Sequence, residues 1–469
     1  MEFPIFILLI FLALFINITP EENIIFAWQM NRHGARAPYL GVKDGIDAYK
    51  ENWTQIEELS EVGRRMLYLL GVKARKRYVE KFKLLSEKYN PQEIYIRSTD
   101  VNRTIESILS FIQGLYPEGT GPLINEKILN NTNITYPPNK KYTEYFEQII
   151  NKYNLTSYRS ALPFSMSVLP VHLFYKPDHE FQLYDTNLCK GHKEKYEEQK
   201  QRKAVKEFGD HLLEKFDFLY KLEENDTVDK NEFLHDYWNL YKYMDGFICD
   251  YTDQRKFKYL YDTFNFTDEA KELLKSKSEE FLLMDYNETN FPEGYDNISI
   301  VSNSHIMHSL VNWMEKAIEG NKKNNSYIKY VIYSAHDASI GALEHFMSYA
   351  FDTRIDYARF AETRFFELYI EEGQDEPKVR YLTGENEEKK DISFKKFKEI
   401  IDQKSWNDTQ VAEFCQFEEY EENKKKEKEK KDKEEKEEEE NNAYIVLMII
   451  LLIINLMMLL ILIILCIKK

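Results

Sequence analysis

The sequence predicts an α/β fold: a largely parallel central sheet flanked by helices, with a smaller α-helical subdomain inserted. Strand-like and helix-like segments alternate from residue 26 to about residue 401, which is the pattern of successive βα units. Residues from about 117 to 290 are instead polar, aromatic-rich and mostly helical in pattern, and we interpret them as the insert. With 469 residues, the chain is long enough for one large domain or two lobes.

The predicted strands are short apolar runs at residues 24–28, 94–96 and 327–334. Apolar residues at helical spacing predict helices at residues 60–77, 101–115 and 338–349. Ser60 lies where the first of these helices begins, and its hydroxyl is suited to accept a backbone N–H as an N-cap.

The N-terminus has the pattern of a secretory signal peptide. Residues 5–16 form an apolar run that is too short for a comfortable membrane span, and a polar stretch follows at residues 17–23. The usual basic residues are absent, since Glu2 stands in their place. We expect residues 1–22 to be the signal peptide and residues 23–418 to form the lumenal domain.

The C-terminus predicts a membrane anchor. Residues 443–467 are apolar over a spanning length and are followed by two lysines, which place the tail 468–469 in the cytosol. The protein is therefore expected to be a single-pass type I membrane protein, with its domain in a lysosome-like vesicle lumen or on the cell surface. A glycosylphosphatidylinositol signal is the alternative, but such signals lack terminal charges. We interpret the highly charged residues 419–442 as a solvated stalk rather than an interaction tail.

Composition excludes several classes of partner and site. The formal net charge of −17 argues against nucleic acid and against an anionic membrane surface as partners. No C-x-x-C pair is present among the four cysteines, which argues against a zinc site. His305 and His308 have a metal-like spacing without an evident third ligand, so we expect them to lie on a helix. No metal site is predicted.

Three of the predicted strands are followed by polar residues that suit one anion. These segments are Arg32-His33-Gly34-Ala35-Arg36-Ala37-Pro38, Arg97-Ser98-Thr99-Asp100 and Ser334-Ala335-His336-Asp337. Ligands of open α/β sheets bind outside the carboxyl ends of the strands, so the three segments are expected to meet in one pocket. Arginine forks match phosphoryl oxygens. The sequence therefore predicts a phosphate site with a histidine nucleophile.

These motifs resemble the histidine acid phosphatases, branch 2 of the histidine phosphatase superfamily, and among them most the lysosomal and prostatic acid phosphatase group. The resemblance is carried by R-H-G-A-R-A-P, Y-I-R-S-T-D-V-N-R-T and Y-S-A-H-D, and it extends through L-S-E-V-G-R-R-M, P-V-H and F-E-L-Y. It covers most of the predicted lumenal region. It implies hydrolysis of phosphate monoesters without a metal or other cofactor.

The resemblance also implies a role for each candidate residue. His33 would be the nucleophile that forms a phosphohistidine, and Asp337 would protonate the leaving alcohol. The phosphate would be held by Arg32, Arg36, Arg97 and His336. Arg103 is expected to shape the loop around Arg97 without touching phosphate. The structural alternatives are that Arg97 is a surface arginine and that Asp337 is a helix N-cap.

Two further expectations concern the cysteines, and both come from the resemblance. Cys189 and Cys415 fall where the family has a disulfide between the inserted region and the C-terminal end. Cys249 matches a family cysteine whose partner is replaced near Ala361 or Glu362. We therefore expect Cys249 to be a free thiol.

The function expected from the sequence is that of a membrane-anchored acid phosphatase acting on small phosphorylated substrates, with a homodimer as one possible assembly. The first alternative is a more selective inositol-phosphate or lysophospholipid phosphatase on the same scaffold. His336 followed by Asp337 favours the acid phosphatase branch, since phytase-like relatives tend to carry His-Ala-Glu there. The second alternative is a catalytically silent surface binding protein. Retention of all six candidate side chains argues against it.

Overall fold

The computed structural model describes a seven-stranded sheet covered by helices on both faces. The strands are β1 Glu22–Arg32, β2 Ile94–Ser98, β3 His172–Leu173, β4 Tyr330–Ala335, β5 Thr363–Glu371, β6 Lys378–Thr383 and β7 Glu388–Ser393. The described residues are 22–38, 56–129, 144–145, 148–149, 151–152, 160–173, 189–200, 203–216, 235–254, 261, 266–284, 295–351, 356–383 and 388–417.

The helices are numbered here in chain order. They are α1 Glu61–Ala74, which continues as a π-helix over Arg75–Lys81, α2 Asn102–Leu115, α3 Glu126–Leu129, α4 Lys190–Lys200, α5 Lys203–Lys215, α6 Tyr237–Thr252, α7 Asp268–Leu283, α8 Tyr295–Lys323, α9 Asp337–Phe351, α10 Phe394–Lys404 and α11 Asp408–Cys415, with a short 3₁₀ turn at Pro163–Ser165.

The sheet order is β3-β2-β4-β1-β5-β6-β7. The four strands from β3 to β1 are parallel, which confirms the predicted α/β fold with parallel strands in its core. The strands β5, β6 and β7 add an antiparallel half. Arg32 lies opposite Ala335 and Ser98 lies opposite Ser334. The strands β1, β2 and β4 therefore end at the same level, and the segments that follow them emerge together.

The central strand β1 is buried on both faces, which explains its nearly continuous apolar sequence. On one face Ala27 packs into a cluster with α1 and α2 residues, including Leu67 and Ile108. On the other face Trp28 packs with residues of β4, β5, α8 and α9. Burial on both faces fixes β1 in the middle of the sheet.

The described helices of the middle region have a core of their own. Residues of α5, α6 and α7 form a hydrophobic cluster that also contains Ala35, Tyr357 and Phe360. The cluster thus reaches the segment after β1 and the segment before β5. The boundaries predicted for the insert, about 117 and 290, stay a prediction.

The packing of α1 explains why Gly34, in the predicted phosphate loop, is a glycine. A Cβ on Gly34 would lie 2.4 Å from the carbonyl oxygen of Gly63 in α1, which no side chain tolerates without a backbone shift. Ser60 is the N-cap of α1, as the sequence predicts, and its hydroxyl accepts from the Gly63 N–H at 3.0 Å. The helix is therefore held directly against the loop that follows β1.

Glu22 lies at the predicted end of the signal peptide. The expected signal peptide ends at residue 22, but Glu22 is the first residue of β1, and its carboxylate accepts two hydrogen bonds from Arg380 at 2.6 and 2.7 Å. Cleavage after residue 22 would remove this ion pair. Residues 1–21, the predicted stalk and the predicted membrane segment 443–467 lie outside the described residues. Within the described part of the chain, no helix is long and apolar enough to cross a membrane.

Cys189 and Cys415 form a disulfide that joins residues 226 positions apart, as the family resemblance implied. It connects the residue before α4 to the last residue of α11. Among the described cysteines, Cys249 of α6 is outside a disulfide, and it is fully buried. Burial and the nearby Asp245 carboxylate raise the pKa of its thiol well above the ordinary value, which makes it a poor nucleophile.

We expect iodoacetamide to leave Cys249 unmodified in the native protein and to modify it in denaturant without reductant. Burial and the raised pKa of the thiol protect it until the chain unfolds. Peptide mass mapping reads out each cysteine separately, so Cys189 and Cys415, which should require reductant, serve as internal controls. Denaturant-only modification of Cys415, or a Cys249 that never reacts, would contradict this assignment.

Candidate active site

The site lies at the carboxyl ends of β1, β2 and β4. The backbone N–H of His33 donates to the Ala335 carbonyl at 3.0 Å, and the rings of His33 and His336 lie 5.5 Å apart. Both histidines are buried, with 1% and 2% of their surfaces exposed. The structure thus brings the first and third predicted segments together around His33.

Arg32, the last residue of β1, is completely buried beside His33. One terminal nitrogen, Nη1, donates to the Tyr357 hydroxyl and the Ala358 carbonyl, both at 2.7 Å. The other, Nη2, lies 2.6 Å from Oδ2 of Asp337. The guanidinium also stacks on the Phe360 ring at 4.1 Å from its centroid. The segment before β5 therefore holds Arg32 in one orientation, a role that the sequence did not indicate.

Arg36 makes a two-pronged ion pair with Asp245 of α6. Its Nη2 and Nη1 donate to the two carboxylate oxygens at 2.9 and 3.1 Å, and both side chains are almost fully buried. Nη1 also donates to the Ala37 carbonyl at 2.9 Å and contacts the Cys249 sulfur at 3.5 Å. Asp245 was missed from the sequence because it lies in the helical middle region, far from any recognisable motif.

The third arginine at the site is Arg103, in the first turn of α2. Its Nη2 contacts Nδ1 of His336 at 3.4 Å, and its Nη1 donates to the Glu57 carboxylate. After burial, its charge is the largest influence on the pKa values of His33 and His336. The sequence placed Arg103 within the Y-I-R-S-T-D-V-N-R-T motif but assigned it no contact with phosphate.

The phosphate-binding role expected for Arg97 stays a prediction. Arg97 lies within β2, on the sheet face of Tyr95 and Tyr333, and its charge acts on the pKa of Tyr333. The charges that act on His336 are those of Arg103, Arg36 and Arg32. His172, in the neighbouring strand, stacks on Tyr95 with ring centroids 4.8 Å apart, which favours a structural role for it.

The hydrogen bonds of His33 define which ring nitrogen is nucleophilic. Nδ1 lies 2.9 Å from the Gly34 carbonyl, and since a carbonyl only accepts, Nδ1 carries the proton. Nε2 therefore holds the lone pair. Burial, with the charges of Arg103, Arg32 and Arg36, lowers the pKa of His33 well below its ordinary value. Both effects favour the neutral form of the ring.

His336 has both ring nitrogens in contacts. Arg103 can only donate, so Nδ1 is the acceptor, and the proton of the neutral ring is on Nε2, which lies 2.9 Å from the Thr99 hydroxyl. Burial and the neighbouring arginines lower the pKa of His336 well below its ordinary value. The hydrogen bond to phosphate that the resemblance implies would have to replace one of these two contacts.

Asp337 is the first residue of α9, and its side chain is 17% exposed. Its Oδ1 accepts the Ala338 N–H at 2.9 Å. Burial alone would raise the pKa of this carboxyl, but Arg32, Arg36 and the Ala338 N–H outweigh it and hold the pKa below its usual value. In the site as described, Asp337 is therefore an ionised partner of Arg32.

This arrangement suits a tetrahedral oxyanion. The Nε atoms of Arg32 and Arg36 are buried and have no hydrogen-bond partner among the described residues, so they are donors in need of an acceptor. The imidazole of His33, whose Nε2 holds the lone pair, lies close enough to the three arginines for their charges to lower its pKa. Within the described residues, no cluster of His, Cys, Asp and Glu could hold a metal ion, and His305 and His308 lie in α8.

Comparisons with known proteins identify the family of this chain. The sequence pattern of the histidine phosphatase superfamily (branch 2) matches residues 23–384. Lysosomal acid phosphatase from Xenopus laevis is 25% identical over 383 residues, which cover 81% of this chain and 74% of that protein. Putative acid phosphatase 11 from Caenorhabditis elegans is 37% identical over 123 residues, 25% of this chain, and the chain spans 29% of the length of that relative.

A solved structure of Hafnia alvei phytase in complex with myo-inositol hexakis sulphate has a TM-score of 0.52 at 12% identity, and the match covers 82% of this chain and 98% of that chain. At this identity the likeness concerns the fold alone. The family match, by contrast, spans all three segments that meet around His33. This chain therefore belongs to the histidine phosphatase superfamily, branch 2.

Proposed function

We propose that the protein hydrolyses phosphate monoesters through a phosphohistidine intermediate on His33. The observation that carries this proposal is a buried imidazole whose Nδ1 is fixed by the Gly34 carbonyl and whose pKa is lowered by burial and by the charges of Arg103, Arg32 and Arg36. Nε2 attacks phosphorus, and the bond from phosphorus to the leaving oxygen breaks. Water then attacks the phosphohistidine, releasing inorganic phosphate and restoring His33.

Phosphate is held by Arg32, Arg36 and Arg103 in this proposal. Their positive charge offsets the charge that builds on the equatorial oxygens during transfer, which is the main source of catalysis in phosphoryl transfer. Arg103 takes the place that the sequence assigned to Arg97. The same three charges keep His33 unprotonated, so it stays a nucleophile where an ordinary histidine would be imidazolium.

Asp337 supplies the proton for the leaving alcohol. In the described site its carboxylate is paired with Arg32 at 2.6 Å, and that pairing lowers its pKa. A phosphoryl oxygen that takes the Arg32 N–H would weaken the pairing and bring its own negative charge nearby. Both effects raise the pKa of Asp337, so the acid form is favoured once substrate is bound and the surroundings are acidic.

An acidic, lumenal location supports this chemistry. We propose a single-pass type I protein with the predicted stalk at residues 419–442 and the predicted anchor at residues 443–467. Its signal peptide would end before Glu22, earlier than the predicted boundary, since Glu22 belongs to β1. The name of the Xenopus laevis relative, lysosomal acid phosphatase, favours a lysosome-like compartment. The disulfide between Cys189 and Cys415 is consistent with an oxidising lumen.

The alternative of a lysophospholipid or inositol-phosphate substrate has one observation in its favour. A cavity of about 870 Å³ lies against Phe360, whose ring also stacks on Arg32. Its walls combine apolar residues such as Leu69 with the ammonium groups of Lys73 and Lys275. Comparing kcat/KM for an aryl phosphate, a lysophospholipid monoester and an inositol phosphate would separate these substrates.

Replacing the nucleophile, His33→Ala, is expected to lower kcat for an aryl phosphate at acidic pH by at least about a thousandfold. The acid-labile phosphoenzyme, trapped by rapid quenching with radiolabelled substrate, should also be lost. His308→Ala, at an exposed histidine of α8, is the matched control and should retain both. Substantial turnover by His33→Ala would refute the mechanism.

Arg103→Gln should lower kcat/KM by about a hundredfold or more, as expected when one charged donor to the transition state is lost. Arg97→Gln should cause a clearly smaller loss, because the charge of Arg97 acts on Tyr333, whereas that of Arg103 acts on both His33 and His336. Steady-state kinetics of the two variants, with thermal unfolding to confirm that both fold, measures the difference. Equal losses would argue that Arg97 also holds phosphate.

Asp337→Asn should affect substrates according to their leaving group. Alkyl phosphates, whose alkoxide needs a proton, are expected to lose about a hundredfold or more in kcat. Aryl phosphates with an acidic phenol should lose much less, because their leaving group departs without protonation. The same loss for both substrate classes would assign Asp337 to another role.

A further inference from the structure

Each of the three arginines at the site is already paired with a carboxylate. The pairs are Arg32 with Asp337, Arg36 with Asp245 and Arg103 with Glu57. The three positive charges are therefore balanced before any ligand binds. A phosphoryl group that enters this site must either share the arginines with these carboxylates or displace one of them.

Asp245 is held in place by its buried ion pair with Arg36. Both of its oxygens accept from Arg36, and its side chain is 2% exposed on α6. Removing one partner of such a buried pair leaves the other charge without compensation, which is strongly unfavourable. The arrangement leaves Nε of Arg36 without a partner among the described residues. Asp245 thus orients Arg36 and leaves a donor for the ligand.

Glu57 differs from Asp245 in exposure and in contact. Its side chain is 30% exposed, and one of its oxygens accepts from Nη1 of Arg103, which itself is 4% exposed. A carboxylate near solvent loses little when it leaves its partner, because water solvates the freed charge. Glu57 can therefore exchange with a competing anion at lower cost than Asp245.

The backbone at Glu57 is held beside the catalytic loop. The Glu57 N–H donates to the Pro38 carbonyl at 3.2 Å, and the Ala37 N–H donates to the Glu58 carbonyl at 2.8 Å. Arg36 and Leu59 form an antiparallel bridge. Glu57 has a φ of 64°, a left-handed conformation that is costly for a residue with a side chain. The backbone thus holds the Glu57 carboxylate beside Arg103. Rotation of the Glu57 side chain alone is enough to separate the two groups.

We propose that Glu57 is an affinity-determining residue of the site, whose carboxylate occupies Arg103 in the free protein and is displaced by the phosphoryl group of the substrate. This inference rests on the proposed phosphatase function. Because the carboxylate competes equally with substrate and product, it weakens the binding of both. Its return to Arg103 also favours the release of inorganic phosphate at the end of each turnover.

The test compares two neighbouring carboxylates in the full-length protein. Glu57→Gln should lower the inhibition constant of orthophosphate by about three- to tenfold, since the charged competitor is gone. Glu58→Gln removes the same charge from a residue whose carboxylate contacts Asn102 at 3.5 Å, and it should leave that constant nearly unchanged. Asp245→Asn should act in the opposite direction and weaken phosphate binding, because Arg36 loses its support.

Calorimetric titration with orthophosphate measures the same constants without turnover. Glu57→Gly is the second variant, and it should also tighten phosphate binding, since glycine adopts the positive φ without strain. Weaker or unchanged phosphate binding in both Glu57 variants would overturn the proposal, as would equal shifts in Glu57→Gln and Glu58→Gln. A wild-type protein that neither binds phosphate nor turns over aryl phosphates would instead refute the proposed function itself.

Discussion

The burial of three guanidinium groups around one imidazole is the constraint on which the rest of the structure depends. Charges in a protein interior are tolerated when they are paired and hydrogen-bonded. Each arginine accordingly receives its carboxylate from a different part of the fold: Asp337 from α9, Asp245 from α6, and Glu57 from the segment before α1. The helices are thus held around the site by its electrostatics as well as by packing.

The same charges lower the pKa of both His33 and Asp337, which favours the role proposed for one and opposes the role proposed for the other. They lower the pKa of His33, which keeps the nucleophile neutral. They also lower the pKa of Asp337, which opposes its role as an acid. In the proposed mechanism, a bound phosphoryl group would offset the charge of these arginines and so raise the pKa of Asp337. The proposal therefore attributes the protonated form of Asp337 to the bound substrate and to acidic surroundings.

Candidate site residues that follow the ends of strands could be predicted from the sequence. Those that reach the site through contacts between distant segments could not. The positions of Arg32, His33, Arg36, His336 and Asp337 follow from βα units whose parallel strands end together. Arg97 looked equally suitable because it ends an apolar run, but it is Arg103, in the first turn of α2, that contacts His336. Asp245, Tyr357 and Glu57 lie in segments without a motif, so only the folded chain brings them to the arginines. The antiparallel strands β5, β6 and β7 were likewise not predicted, because they do not belong to an alternating βα pattern.

The position of β1 in the sheet has a consequence for how the chain is made. The strand is near the N-terminus, yet both of its neighbours, β4 and β5, come after residue 329, and Asn31 hydrogen-bonds to Ser334, 303 positions later. Pairing at such separation is slow and leaves strand edges open. At synthesis rates of about 5–20 residues per second, β1 waits roughly 15–60 s for its partners. During translation the nascent chain therefore carries an apolar, unpaired strand that needs protection by chaperones, and the catalytic loop can form only when the last third of the polypeptide has emerged.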